Sequence, residues 1–199
     1  MAAIECSVTE VFSAGDHDLF SRLQDAWREA NDPRSFYEAK KLEQDQRYAK
    51  HQDTPYSLEP NLKESPGGLR DLHVIRWIAE VCGVSGGWRA MQRSGLLLQR
   101  EAVELARQER RLHDLRIRLH FLAGRREDRI VFDLQTSLAQ ESGFRETTER
   151  RAGEALMQSY YRTAKTVTQL NTILLQNFAQ RLNPIPDATP RIERAGAGS

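Results

Sequence analysis

Apolar positions recur along most of this chain at intervals of three and four, the spacing that lines one face of an α-helix. In "GDHDLFSRLQDAWREAN", Leu19, Phe20, Leu23, Ala26 and Trp27 keep that spacing, and Asp16 stands where an N-cap belongs. The next helix, "NDPRSFYEAKKLEQDQRYAKHQ", has Asp32 as its cap and Pro33 as its first residue. Its apolar face is thin, which predicts a solvated outer helix with one side kept for a partner. A loop over residues 52–66 holds Pro55, Pro60 and Pro66. From about Gly68 to Cys82 the pattern changes. Leu69, Leu72, Val74, Ile75, Trp77, Ile78, Val81 and Cys82 cover most of the circumference, which predicts a central helix closed by Gly83.

A short helix near 87–93 ends at Gly95. A helix of ~7 turns then runs to Gly124, with Val103, Ala106, Leu112, Leu115, Leu119 and Leu122 marking its buried side. "DRIVFDLQTSLAQESG" is a shorter helical piece. A long helix over about 147–182 turns Leu156, Tyr160, Val167, Leu170, Ile173, Leu174 and Phe178 inward and stops before Pro184 and Pro186. Period-2 alternation is confined to "CSVTEVF" at 6–12, and no internal repeat is present. The fold class is therefore all-α, an antiparallel bundle of long helices joined by short loops. Residues 183–199, rich in Pro, Ala and Gly, read as a linker or tail.

Composition narrows the class. With 29% charged and 39% apolar residues, a chain of 199 residues is globular and large enough for a sizeable core. No apolar run approaches the ~20 residues of a membrane span, and Met1-Ala2-Ala3-Ile4-Glu5 lacks a signal-peptide pattern, so a cytoplasmic location and no membrane partner are expected. Cys6 and Cys82 are the two cysteines, too few for a disulfide framework or a four-cysteine zinc site. A net charge of +1, with no stripe of stacking aromatics, argues against nucleic acid as a partner. The 29 cations are nonetheless unevenly chosen, 24 Arg against 5 Lys, and Arg suits bidentate contacts to phosphate or carboxylate.

Four groups carry candidate chemistry. Asp16-His17-Asp18 has the D-x-D spacing that holds Mg²⁺ on a strand, but at a helix start capping and first-turn negative charge account for it. His113-Asp114 has the order of a metal-dependent phosphohydrolase pair, yet neighbours on a helix point ~100° apart and read as surface polar residues. Arg110, Arg111, Arg116, Arg118, Arg125, Arg126 and Arg129 form an arginine group. Local ion pairing is its plain reading, with Arg125 and Arg126, in the loop after Gly124, as secondary phosphate candidates. The fourth is "EPNLKESPGGLRDL", residues 59–72. Gly67 and Gly68 open a helix whose free N–H groups would favour an anion, with Lys63 and Arg70 adding positive charge. Glu64 and Asp71 would orient those cations, lie close to a metal, or cap the helix. A tight turn with a good cap is the alternative.

"LEPNLKESPGGLRDLHVIRWIA" closely resembles the signature of bacterial protein-PII uridylyltransferase/uridylyl-removing enzymes. "FYEAKKLEQDQRYAKHQDTPYSLEPNLKESPGGLRDL", "LHFLAGRREDRIVFDLQTSLA" and "ALMQSYYRTAKTVTQLNTILLQN" extend the resemblance, in order, over about residues 8–182. A Gly-Gly turn followed by Arg and an acid also occurs in the sister adenylyltransferases. The resemblance implies an enzyme that moves UMP from UTP, with Mg²⁺, to a tyrosine of the nitrogen-regulatory protein PII, and a separate phosphohydrolase domain that removes it. It further implies that residues 1–18 end a nucleotidyltransferase domain, that 19–182 form the helical domain beside it, and that 183–199 are a linker. On this view PII and the nucleotidyltransferase domain are the partners. Lys63, Gly67, Gly68 and Arg70 would face the nucleotide phosphates, with Glu64 and Asp71 holding the cations. The D-x-D carboxylates of the family do not match any part of this chain, so no catalytic residue or metal ligand is expected in it, and the chain alone is expected to be inactive. His73 stands where the family has glutamine. A helical interaction module that binds PII or a separate catalytic subunit, and an adenylyltransferase-related domain, are the alternative readings.

Overall fold

A computed structural model describes residues 15–51 and 54–183. They form α1 (His17–Glu29), α2 (Pro33–Lys50), α3 (Leu69–Val81), α4 (Gly87–Arg93), α5 (Gln99–Ala123), α6 (Phe132–Glu141) and α7 (Ala152–Leu182). Extended pairing among the described residues is confined to one antiparallel bridge, Asn61 with Arg129. None of the described helices is long and apolar enough to cross a membrane. The 6–12 alternation, Cys6 and the 184–199 tail lie outside the described residues.

The expected caps are in place. Asp16 Oδ1 accepts from the N–H groups of Asp18 and Leu19 at 2.9 and 3.2 Å. Asp32 Oδ2 accepts from Ser35 N–H at 2.8 Å, with Pro33 opening α2. Helix α3 is central: it buries ten of its thirteen residues and packs on α2, α5 and α7. Leu69, Leu72, Ile75 and Ile78 meet a core made with Leu105, Leu112 and Leu119 of α5 and Tyr160, Val167, Leu174 and Phe178 of α7. Each such side chain contributes about 1.5–3 kcal/mol when fully buried.

Four expectations need adjustment. Helix α2 is solvated on its outer side, where Arg34, Glu38, Leu42 and Asp45 are exposed, but its inner side is buried at Lys40, Gln44 and Arg47. These residues recur at helical spacing, so α2 is amphipathic with a polar stripe where an apolar one was sought. On α5, Val103 is exposed and Ala102 and Leu105 are buried. On α7, Ile173 is exposed beside the buried Leu174. Both misplaced residues sit next to a buried one, about 100° round the helix from it. Helix α7 also starts at Ala152 rather than near 147. Thr147 N–H donates to Arg150 O at 3.0 Å and Arg150 N–H to Thr147 Oγ1 at 3.2 Å, so residues 147–150 close into a turn of their own.

Candidate functional site

The stretch from Asn61 to Asp71 is built from short-range polar contacts. Asn61 Oδ1 accepts from the N–H groups of Lys63 and Glu64 at 2.9 and 2.8 Å, which bends the chain before the helix. Ser65 Oγ accepts from Asn61 N–H at 2.9 Å and ties the two ends of that bend. Gly67 then takes φ +78°, and a Cβ there would lie 2.2 Å from the backbone oxygen of Ala164 on α7. Gly67 is needed both for its backbone angle and for this close approach. At Gly68 a Cβ would meet the carbonyl oxygens of Ser65, Leu62 and Lys63 at 2.8–2.9 Å.

The expectation of free N–H groups at this helix start is corrected by the same geometry. Gly68 N–H donates to Ser65 O at 2.8 Å, Leu69 N–H to Leu62 O at 3.0 Å and Arg70 N–H to Lys63 O at 2.9 Å. Gly67 N–H donates to Asp71 Oδ2 at 2.7 Å. The loop folds back on the first turn of α3 and satisfies its donors before any ligand arrives. Gly67 and Gly68 shape the turn; their N–H groups do not face outward.

The side chains give a different picture. Lys63 Nζ and Arg70 Nη2 both approach Glu64 Oε1, at 3.4 and 3.2 Å. Burial pushes the Glu64 carboxyl up, but Arg70 and Lys63 outweigh it and hold the group below the usual carboxylate range. Glu64 therefore pairs with both cations. Asp71 does not. It is fully buried and accepts from Arg47 Nη2 at 2.6 Å and Tyr48 Oη at 2.6 Å, besides Gly67 N–H. Burial raises the proton affinity of Asp71 against the pull of Arg47. Each of these three contacts is a donor, so the hydrogen bonds select the ionised carboxylate. The physical reason for the difference is position: Asp71 lies one residue past Arg70 on α3 and points inward, toward α2.

Arg47 and Tyr48 join this constellation, and the sequence reading did not single them out. Arg47 also donates through Nη1 to Glu64 O at 2.9 Å and places Nε 3.9 Å from Glu64 Oε2. Burial and the Asp71 charge push the Tyr48 hydroxyl well above its ordinary range, so it stays a donor. The available signal was the stripe Lys40, Gln44, Arg47 itself, polar and periodic on a helix with few apolar residues. The stripe continues the site along α2. Lys40 Nζ bonds Glu43 at 2.7 Å and lies 5.0 Å from the centre of the Trp77 ring, against which Arg70 also packs at 5.4 Å. His73 packs near Trp77 and His113, with ring centroids 5.9 and 6.5 Å away. Burial, with Arg70 and His113 close by, pulls His73 down to about 4.

The remaining candidates are placed as follows. The 125–131 loop runs beside the 58–62 segment through Leu62 N–H to Asp128 O at 2.7 Å and Ile130 N–H to Pro60 O at 2.9 Å. Asp128 holds it to α5, accepting from Arg116 Nε at 2.6 Å, with His120 Nε2 3.0 Å away. Arg125 and Arg126 are exposed on this loop, and Arg125 pairs with Glu127 at 2.8 Å. Arg118 pairs with Asp114 at 2.9 Å, so His113 and Asp114 look to different partners. Asp16 acts as a cap. Among the described residues no three or more His, Cys, Asp or Glu side chains gather as a metal site requires. A groove of about 710 Å³ between the start of α5 and the second half of α7, lined by residues such as Arg100, Thr166 and Ile173, contains none of the candidates. Charge and buried polar contacts, not volume, mark the site.

Comparison with known proteins places this geometry in context. The family model for GlnD PII-uridylyltransferase matches residues 35–175. The chain is 53% identical over 182 residues to the bifunctional uridylyltransferase/uridylyl-removing enzymes of Burkholderia thailandensis, Burkholderia mallei and Burkholderia pseudomallei. The matched region is 92% of this chain and 21% of each relative, so the chain spans about a fifth of the length of these curated relatives. No solved structure matches.

Proposed function

This chain belongs to the GlnD PII-uridylyltransferase family, and we propose that the rim formed by Lys63, Glu64 and Arg70 is part of the nucleotide site of a uridylyltransferase. The observation that carries the reading is the convergence of Lys63 and Arg70 on Glu64 at one helix start. Lys63, Arg70 and Arg47 surround two carboxylates, Glu64 and Asp71. Asp71 answers Arg47 from within, while Lys63 and Arg70 both reach the half-buried Glu64. Two cations converging on one point in fixed geometry suit the triphosphate of UTP. Arg125 and Arg126 form a secondary basic edge on the neighbouring loop.

The reaction is then transfer of UMP to a tyrosine of PII by in-line attack at the α-phosphorus. Lys63 and Arg70 bind and orient the polyphosphate, and Glu64 keeps both cations aimed when no nucleotide is present. The carboxylates here do not fit Mg²⁺: Glu64 is taken by cations and Asp71 is sealed among donors, so no metal step is assigned to these residues. On this reading residues 1–18, ending within the first turn of α1, close a nucleotidyltransferase domain. Residues 19–182 form the helical domain beside it and 183–199 a linker, in a cytoplasmic protein. The chain by itself is inactive.

The test is Lys63→Ala and Arg70→Ala in a full-length enzyme carrying this segment. Each raises the KM for UTP about tenfold; an unchanged dependence of rate on UTP sinks the reading. A second reading, a module that docks a protein, draws on Tyr56, Leu58 and Phe132, which are exposed around the joined 58–62 and 125–131 segments. Binding of PII by this chain without nucleotide separates the two.

A further inference from the structure

We propose that Arg47 and Tyr48 of α2 are positioning residues for the nucleotide rim, acting through the Glu64 carbonyl and the Asp71 carboxylate. The inference rests on the reading of Lys63 and Arg70 given above. Its basis is an arrangement along the chain. Lys63 is followed by Glu64, whose carbonyl oxygen accepts from Arg47 Nη1 at 2.9 Å. Arg70 is followed by Asp71, whose Oδ1 accepts from Arg47 Nη2 at 2.6 Å. Each rim cation is thus the immediate neighbour of a group that the same guanidinium holds. The planar fork of Arg47 sets the spacing between the two backbone points from which Lys63 and Arg70 project.

Tyr48 completes the clamp. Its hydroxyl donates to Asp71 Oδ2 at 2.6 Å, the oxygen that also accepts from Gly67 N–H at 2.7 Å. Asp71 is thereby held at both oxygens and cannot swing out to meet Arg70. Arg70 reaches Glu64 and the Trp77 ring. Neither Arg47, which is buried, nor the Asp71–Tyr48 contact presents a group to solvent that a substrate would touch. Their effect on the reaction runs through the placement of others, where an error of about 1 Å costs up to ~100-fold in rate.

The experiment uses a full-length enzyme carrying this segment, with Tyr48→Phe and Arg47→Lys beside Lys63→Ala and Arg70→Ala. Tyr48→Phe removes one hydroxyl and keeps the ring. Arg47→Lys keeps the charge but cannot reach both acceptors. The readouts are the KM for UTP and kcat in uridylyl transfer, the rate of uridylyl removal, and the melting temperature. Expected is a rise in the KM for UTP of about tenfold in both variants with uridylyl removal within about twofold of the parent. Where Tyr48→Phe does not accumulate as folded protein, Arg47→Lys reads the same split. An unchanged KM in both variants, while Lys63→Ala or Arg70→Ala raises it, overturns the positioning role alone. Equal loss of both activities together with a lower melting temperature assigns the clamp to the fold and also overturns it. An unchanged KM in Lys63→Ala and Arg70→Ala removes the nucleotide rim, and the positioning role with it.

Discussion

Helix α3 is buried on two sides by different physics. Toward α5 and α7 it presents Leu72, Ile75 and Ile78, whose burial is non-directional and scales with area. Toward α2 it presents Asp71 and Trp77, which meet Arg47, Tyr48 and Lys40 through contacts of defined geometry. The apolar side supplies stability and tolerates small shifts. The ionic side costs desolvation, which the mutual attraction and hydrogen bonds offset, and it tolerates few alternatives. The directional contacts of Asp71 and Trp77 thus lie directly beside Arg70 and the Lys63–Glu64 turn.

The contrast is sharpest where one substitution strikes the joint between the two sides. Gly67→Ala forces a Cβ against the Ala164 backbone at a positive φ. A destabilisation of about 3–5 kcal/mol is expected, read by denaturant unfolding. Asp71→Ala breaks the ionic side alone and strands Arg47 in the interior, at a cost of about 3–5 kcal/mol. Leu72→Ala breaks the apolar side alone, at about 2–5 kcal/mol, set by how far the cavity relaxes. The two are told apart by pairing each with Arg47→Met. Asp71→Ala with Arg47→Met should depart from additivity by about 0.5–3 kcal/mol, and Leu72→Ala with Arg47→Met should add within ~0.5 kcal/mol. Equal coupling in both pairs erases the distinction between the sides.

A smaller effect is set by pH. His73 is pulled down to about 4 in the folded chain, mainly by burial, from 6.5 in the unfolded one. Between those values the unfolded chain binds the proton more readily. The stability tied to neutral His73 is therefore complete above pH 6.5 and is lost as pH falls toward about 4. His73→Gln should flatten the fall in melting temperature over pH 6.5 to 4; a curve parallel to the parent's excludes His73 as its source. The smallest effect is expected at Val103, exposed on α5, where Val103→Ser should stay within ~0.5 kcal/mol.

The helices were legible because glycine, proline and capping residues punctuate a 3.6-residue period. Asp16, Asp32 and Gly83 mark ends that the structure places within a residue or two. The faces were less legible where two apolar residues adjoin: the pairs Ala102 and Val103, and Ile173 and Leu174, give no local reason to choose which turns inward. The buried face of α2 was hidden for another reason. Hydrophobic periodicity ranks positions by apolarity, and Arg47 is buried because its partner Asp71 stands 24 residues away. The motif at 59–71 was legible as a polar turn before a central helix, and Glu64 pairs with Lys63 and Arg70. The occupancy of its N–H groups was not, since they are filled by carbonyls of the same loop, which any sequence contains. The division of labour between Glu64 and Asp71 depends on which way each faces, and that is decided by the packing of α2.

The close approach of Gly67 to α7 has a consequence for the order of folding. The pairs α2–α3, α4–α5, α5–α6 and α6–α7 join neighbours in the chain, and such contacts form fast because little loop entropy is lost. The turn at Gly67 leans on Ala164, 97 residues further on (164 − 67), and reaches its final shape only when α7 has docked. Lys63 and Arg70 are then among the last features to be set. A chain stopped before α7 would hold its local helices and no assembled rim, so the charged site reports that the molecule has finished folding.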